Sequence, residues 1–311
     1  SEDIVPCIRC LQCYHVSTDH KNVQCSVNPR FNREKRVPLI LPVTGHPKHL
    51  VIVGGGPAGI TCALTASRRG HQVTLLEKEP VLTGKLNIAC HGEHKADLRR
   101  FRDYLLTQLR KSSVTVHTGV LADTDVVRDL KPDALVIAVG ATPSRIPLPG
   151  VDGDNCIQIS EFLQSPDTSL QHYIIIGGCE TALDLAEKGK DVSIIEMADC
   201  LASASNDLYR LALSEHFARY DNLHTYLNSA CQSIDADGVN VLTNGASTHI
   251  SGDKVLLSLG FRPDAKQVSS LYGIVPDTYY VGDCERVATV AEAVNNAYFI
   301  GANVFQEQDI I

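Results

Sequence analysis

The stretch "HPKHLVIVGGGPAGITCALTASRRGHQVTLLEKE" (residues 46–79) constrains the fold more than any other part of the chain. An apolar run at 50–53 reads as a buried strand. Gly54, Gly56 and Gly59 then fall in G-x-G-x-x-G around Pro57 and Ala58, a helix follows, and a second strand at 73–76 ends on Glu77, eighteen residues after Gly59. The three glycines serve different ends. Gly54 permits the tight turn, Gly56 lets backbone approach a pyrophosphate, and Gly59 lets helix and strand pack, with the helix amino terminus facing the phosphates. Glu77 is placed to accept ribose hydroxyls. The glycine spacing alone is a weak signal; strand, helix, second strand and terminal acid in that order make it a nucleotide-binding reading.

A second unit of this kind opens with "IIIGGCETALDLAEKGKDVSIIEM" (174–197). It runs from a strand through Gly177 and Gly178 into a helix and closes on a strand ending at Glu196, but its glycines are too few. A turn cut to Gly177, Gly178 and Cys179 presents fewer backbone N–H groups and brings Glu180 toward the place of a pyrophosphate. Weak or absent nicotinamide binding is one expectation; docking through Glu196 and flanking segments is the other. Glu196 favours NADH over NADPH, because a carboxylate repels a 2′-phosphate.

Two further stretches extend the first site. "PDALVIAVGATPSRIPLPG" (132–150) is a buried strand running into a turn that contains Ala138 and Gly140, and "YYVGDCERVATVAEAVNNAYFIGANV" (279–304) is a strand ending at Gly282 and Asp283 before a helix starting near Thr289. Asp283 at a strand's carboxyl end can bond a ribityl chain while the helix dipole faces a flavin ring; a helix cap is its plainer role. Lys78 and Lys85 are candidates to neutralise flavin phosphates, with a solvated lysine as the alternative.

Eleven cysteines in 311 residues would suggest a disulfide framework only in a short secreted chain. Four fall in the first 25 residues: Cys7, Cys10 and Cys13 in C-x2-C-x2-C, then Cys25. A tight loop so spaced aims three thiolates at one cubane while a returning segment supplies the fourth, which reads as a 4Fe-4S cluster. Structural zinc, which usually takes two separated C-x2-C knuckles, is the alternative. His15 and His20 lie in the same loop and receive no ligand role. The other seven cysteines, spread singly, read as ordinary buried thiols.

A net charge of −8 argues against a nucleic-acid surface. No apolar run approaches the roughly 18 residues of a membrane span, and no secretory leader is visible. The expectation is a cytoplasmic protein with neither nucleic acid nor membrane as partner. One Met in the whole chain and an opening Ser1 suggest a processed or partial product of something longer.

The combination of the cysteine segment, the turn at 51–59, "AVGATP" (138–143, with Val139 where the pattern has Thr), "GFRP" (260–263), "GDC" (282–284) and "CSVNP" (25–29) resembles the carboxyl-terminal half of the 2,4-dienoyl-CoA reductase, enoate reductase and trimethylamine dehydrogenase group of iron–sulfur flavoproteins. The resemblance covers nearly the whole chain. It implies an α/β fold of two Rossmann-like, glutathione-reductase-type domains, one inserted in the other, with an N-terminal cluster-binding arm. It also implies FAD, or in one branch bare ADP, at 54–59. Members carry an FMN barrel that is missing here, so no acid, base or substrate-binding residue carries over and no catalytic residue is assigned. The two residues between Cys10 and Cys13 are closer to the amine dehydrogenase branch. Relatives read "IGGGxxGCETA" where this chain has "IGGCETA" (176–182), as though four residues had left the turn.

The expected layout is a cluster-binding segment at 1–45, a split FAD domain at 46–148 and 262–311, and an inserted NAD(H)-type domain at 149–261. The expected function is electron transfer from NADH through FAD to the cluster, and on to an external flavin on an FMN barrel or another acceptor. The alternative is an electron-transfer or scaffold module, holding ADP or FAD, whose second nucleotide site is vestigial. A dithiol reductase would need C-x2-C or C-x4-C near the flavin turn, and none is there. The oligomeric state stays open.

Overall fold

The structure, a computed structural model, describes residues 2–18 and 21–305; His20 lies outside them. The chain forms two compact units, one made of Ser1–Cys90, Lys95–Thr142 and Arg262–Ile311, the other of His91–His94 and Pro143–Phe261. It leaves the first unit a few residues before the expected boundary, and the cysteine arm belongs to that unit.

The first pass begins with α1 (Gln12–Thr18) and β1 (His49–Val53). Beyond its first residue β1 is wholly buried, as suits an apolar run in a parallel sheet covered on both faces. The helix α2 (Pro57–Arg68) starts on Pro57, whose fixed φ and missing N–H suit the first helical position. Next come β2 (Gln72–Glu77), α3 (Leu86–Ala89) and α4 (Ala96–Lys111), which buries Phe101, Leu105 and Leu109 and turns its charged face outward. Then β3 (Thr115–Thr118), α5 (Thr124–Asp129) and β4 (Ala134–Ile137) follow, and β5 (Ala141–Pro143) leads out.

The second unit holds β6 (Cys156–Gln158), α6 (Ile159–Phe162), β7 (His172–Gly177), α7 (Glu180–Glu187), β8 (Asp191–Ile195), α8 (Asp207–Phe217) and β9 (Leu223–Tyr226). An antiparallel trio, β10 (Ser229–Asp235), β11 (Gly238–Thr243) and β12 (Ala246–Ser251), precedes β13 (Lys254–Ser258). The parallel sheet runs β6-β13-β7-β8-β9. Strand alternation splits its apolar residues between two cores: Ile175, Val192 and Leu256 meet the helices, and Ile174, Ile195 and Leu257 meet the antiparallel trio.

The chain returns through β14 (Phe261–Pro263), which pairs with β5, and finishes the first unit with α9 (Ala265–Ser270), β15 (Thr278–Tyr280) and α10 (Val290–Asn303). Its parallel sheet runs β15-β4-β1-β2-β3. Helix α10 lies close against α2 because Gly301 has no side chain there: a Cβ would stand 2.6 Å from the Cys62 carbonyl oxygen. The arm is seated on the same helix. Asn295 donates to the Cys25 carbonyl at 3.0 Å and accepts from Arg33 at 3.1 Å, while Val27 enters the core.

Candidate cofactor site

In the first unit the turn after β1 is built from close approaches. Gly54 takes φ +113°, its N–H donates to the Leu76 carbonyl at 2.7 Å, and a Cβ on it would overlap the carbonyl oxygen of Ala138. A Cβ on Gly59 would overlap the Gly54 oxygen, so helix and turn meet only because that side chain is absent. Gly56 differs. As the α2 N-cap it has ordinary extended backbone, and a Cβ there would meet nothing within 4 Å. The Ile60 N–H donates back to Gly56 at 3.0 Å, so the N–H groups of Ala58 and Gly59 precede the first helical bond. An open face beside the positive end of a buried helix fits a pyrophosphate.

Glu77 is buried, and its carboxylate ties the turn together: Oε2 accepts from the Gly55 N–H at 2.6 Å and Oε1 from the Glu79 N–H at 2.8 Å. Each oxygen keeps a second lone pair for a ribose hydroxyl. Lys78 follows it, exposed. Lys85 is not simply solvated. Its Nζ donates to Asp283 at 2.9 Å, and the other Asp283 oxygen accepts from the Ala288 N–H at 3.2 Å. Asp283 is therefore not the cap of α10; Thr289 and Glu292 form a capping box there. A cavity of about 230 Å³ lies at this end of α10, lined by Gly282, Asp283, Arg286, Ala288, Glu292 and Asn296. Gly140 lies in the turn between β4 and β5.

The second unit repeats the frame with different contents. Gly177 takes φ +92° and packs on the Ser258 carbonyl as Gly54 packs on Ala138, and a Cβ on Gly178 would overlap the Ser258 hydroxyl. The helix begins three residues after this first glycine in both units, so the turn itself is not shorter. The two units differ by four residues in the helix instead: α2 has 12 residues and α7 has 8. This corrects the sequence expectation, and the reason is periodicity. Four residues are about one helical turn, so α7 keeps its apolar face in phase, burying Ala182, Leu183, Leu185 and Ala186.

Aligned from the strand, Cys179 stands for Gly56, Glu180 for Pro57 and Ala182 for Gly59. The Glu180 carboxylate accepts a hydrogen bond from the Tyr209 hydroxyl on α8, and burial first, then the Glu180 charge, push the Tyr209 pKa up. Glu196 is at its expected place after β8 and, like Glu77, accepts the N–H two residues on, from Ala198 at 2.9 Å. Frame and terminal acid fit a dinucleotide; the turn differs from the first in its residues, a carboxylate and two side chains standing where the first has Pro57 and two glycines.

In the arm, Arg9 and Leu11 take positive φ between the cysteines, the Arg9 N–H donates to Cys7 Sγ at 3.4 Å, and Cys10 Sγ lies 3.1 Å from the Ser26 hydroxyl. Loop winding and amide-to-sulfur bonding suit thiolate ligands. Among the described residues no three His, Cys, Asp or Glu side chains converge as a metal site. Of the scattered cysteines, Cys62, Cys90 and Cys284 are buried and the rest half-buried, and burial pushes the Cys62 thiol up to about 12. No helix among the described residues is long and apolar enough to cross a membrane.

The family model for the pyridine nucleotide-disulphide oxidoreductases matches residues 48–297. The chain belongs to this family. The family implies FAD and a pyridine nucleotide, and it bears out the α/β, Rossmann-like reading of the sequence. Among similar proteins, the pyridine nucleotide-disulphide oxidoreductase chain is 32% identical to an NADH oxidase of Thermoanaerobacter brockii, over 89% of this chain and 44% of that protein. It is 31% identical to a bilirubin reductase of Mediterraneibacter gnavus, over 95% and 47%. A solved 2-naphthoyl-CoA reductase in complex with 2-naphthoyl-CoA aligns with a TM-score of 0.90 at 28% identity, covering 97% of this chain and 47% of that one. The chain spans about half the length of these relatives, and the expected kinship with one half of long enoate-type reductases holds.

Proposed function

We propose that this chain is the electron-transfer half of an iron–sulfur flavoprotein oxidoreductase of the enoate or dienoyl-CoA reductase type. FAD is held at the Gly54–Gly59 turn, a 4Fe-4S cluster at Cys7, Cys10, Cys13 and Cys25, and the acceptor is a flavin on an FMN barrel in another domain or subunit. NADH is the proposed donor. The observation that carries the reading is the first turn, where Gly56 opens on empty space at the α2 amino terminus beside a buried, pre-oriented Glu77. The cavity at Gly282 and Asp283 is read as room for the part of FAD that ADP lacks, which is why FAD is proposed over bare ADP.

Bound FAD would supply a carrier that takes electrons in pairs and can release them singly. The protein's own share is orientation and charge. The α2 amino terminus and the backbone of the turn meet the diphosphate, Glu77 meets the ribose, and the Lys85–Asp283 pair fixes a charged group at the α10 end. A second reading, in which electrons come from the partner flavin and not from NADH, is favoured by Cys179, Glu180 and Ala182 in the places of Gly56, Pro57 and Gly59. An anaerobic visible spectrum before and after NADH separates the two. Bleaching of the flavin bands within seconds supports the NADH donor; a change only with dithionite overturns it in favour of the second reading.

A further inference from the structure

We infer that Glu180, anchored by Tyr209, fills the anion position of the second unit with a carboxylate of the chain itself and thereby sets its affinity for a pyridine dinucleotide. The inference rests on reading that unit as the NADH-binding one. In the first unit the residue starting the helix is Pro57, uncharged and without an N–H, behind a Gly56 that leaves open space. In the second unit the same register puts Glu180 at the start of α7, behind a side chain, Cys179.

A helix amino terminus carries partial positive charge and favours one anion. Here the first residue of the helix is itself a carboxylate, and a diphosphate arriving at the α7 amino terminus meets a like charge. The carboxylate is not loose. Asn206 caps α8 by accepting from the Tyr209 N–H at 2.9 Å, which places the tyrosine, and the Tyr209 hydroxyl holds Glu180. Burial keeps that hydroxyl protonated, so it remains a donor. Ala182 adds a steric term. Gly59 has no room for a Cβ against the Gly54 oxygen, so the first turn of α7, with its alanine, cannot press as closely on the Gly177 carbonyl.

The test uses the full chain saturated with FAD and two probes: ADP-ribose, which carries the diphosphate but no nicotinamide, by calorimetry, and NADH by fluorescence titration. Glu180→Gln keeps the size and hydrogen bonding of the side chain and removes its charge. It is expected to tighten ADP-ribose binding by about tenfold, or about 1.4 kcal/mol. Tyr209→Phe, which removes the hydroxyl bonded to the carboxylate but keeps the carboxylate, is expected to give a smaller gain in the same direction. Unchanged or weaker ADP-ribose binding in Glu180→Gln, with an unaltered melting temperature, overturns the inference. If that variant does not fold, unchanged affinity in Tyr209→Phe overturns it. Tighter ADP-ribose binding with no flavin bleaching by NADH would support this inference while sinking the NADH donor, and bleaching without any effect of Glu180→Gln would do the reverse.

Discussion

Gly56 and Gly59 lie three residues apart and are glycines for opposite reasons: one borders open space, the other an occupied position. Gly56→Ala therefore costs at most about 1 kcal/mol of folding stability, since its backbone is one that any residue adopts. Its methyl group nevertheless stands where a diphosphate must meet the backbone, and bound FAD is expected to fall by more than about tenfold. Gly59→Ala forces the helix off the turn and is expected to cost about 3 kcal/mol or more. A melt of the FAD-free protein and a flavin-to-protein absorbance ratio distinguish the two; equal losses of stability would refute the assignment. These glycines were legible in the sequence because the role of each is settled within one strand–turn–helix. The Lys85–Asp283 pair was not, because its partners are 198 residues apart and only the return of the chain brings them together. Tyr209 was invisible for a similar reason: nothing local to α8 says that its hydroxyl reaches α7.

At the scale of elements, the strand–helix–strand units could be read from apolar runs and terminal acids, whereas the place of the four-residue loss could not. A helix shortened by one turn keeps its buried stripe in phase, so the sequence reads equally well with the loss in the turn or in the helix. Packing decides it, because the turn after β7 must still pass Ser258 as the turn after β1 passes Ala138. The capping of α10 yields a prediction at this scale. Thr289 accepts from the Ala291 N–H at 3.1 Å and Glu292 reaches back to the Thr289 N–H at 3.2 Å, so Thr289→Ala removes one side of the box at the helix end that borders the Asp283 cavity. A loss of about 1 kcal/mol is expected, read as a shift in denaturation midpoint with unchanged slope. Wild-type stability in Thr289→Ala would mean that packing against α2 alone holds α10.

At the scale of the whole molecule, the arm and the FAD fold are one unit, and that makes the cysteine proposal separable from folding. The backbone at Cys25 is held by Asn295 through its carbonyl, and the neighbouring Val27 is buried in the core shared by β1, α2 and α10, so the arm is held by more than the Cys25 side chain. Cys25→Ala should therefore leave both the melting transition and the bound FAD near their wild-type values while abolishing the cluster. Reconstituted anaerobically with iron and sulfide, the wild-type chain is expected to hold about four irons with broad absorbance that dithionite bleaches, as a cubane with four thiolate ligands does. Cys7→Ser, Cys10→Ser and Cys13→Ser should each lower the iron content, because each removes one of those ligands. Iron contents that ignore all four substitutions, or about one tightly held zinc and no colour, would replace the cluster with a structural metal or none. Loss of FAD together with iron in Cys25→Ala would show instead that the arm is held down by the cluster and not by Asn295, and the order of assembly would then run from metal to fold.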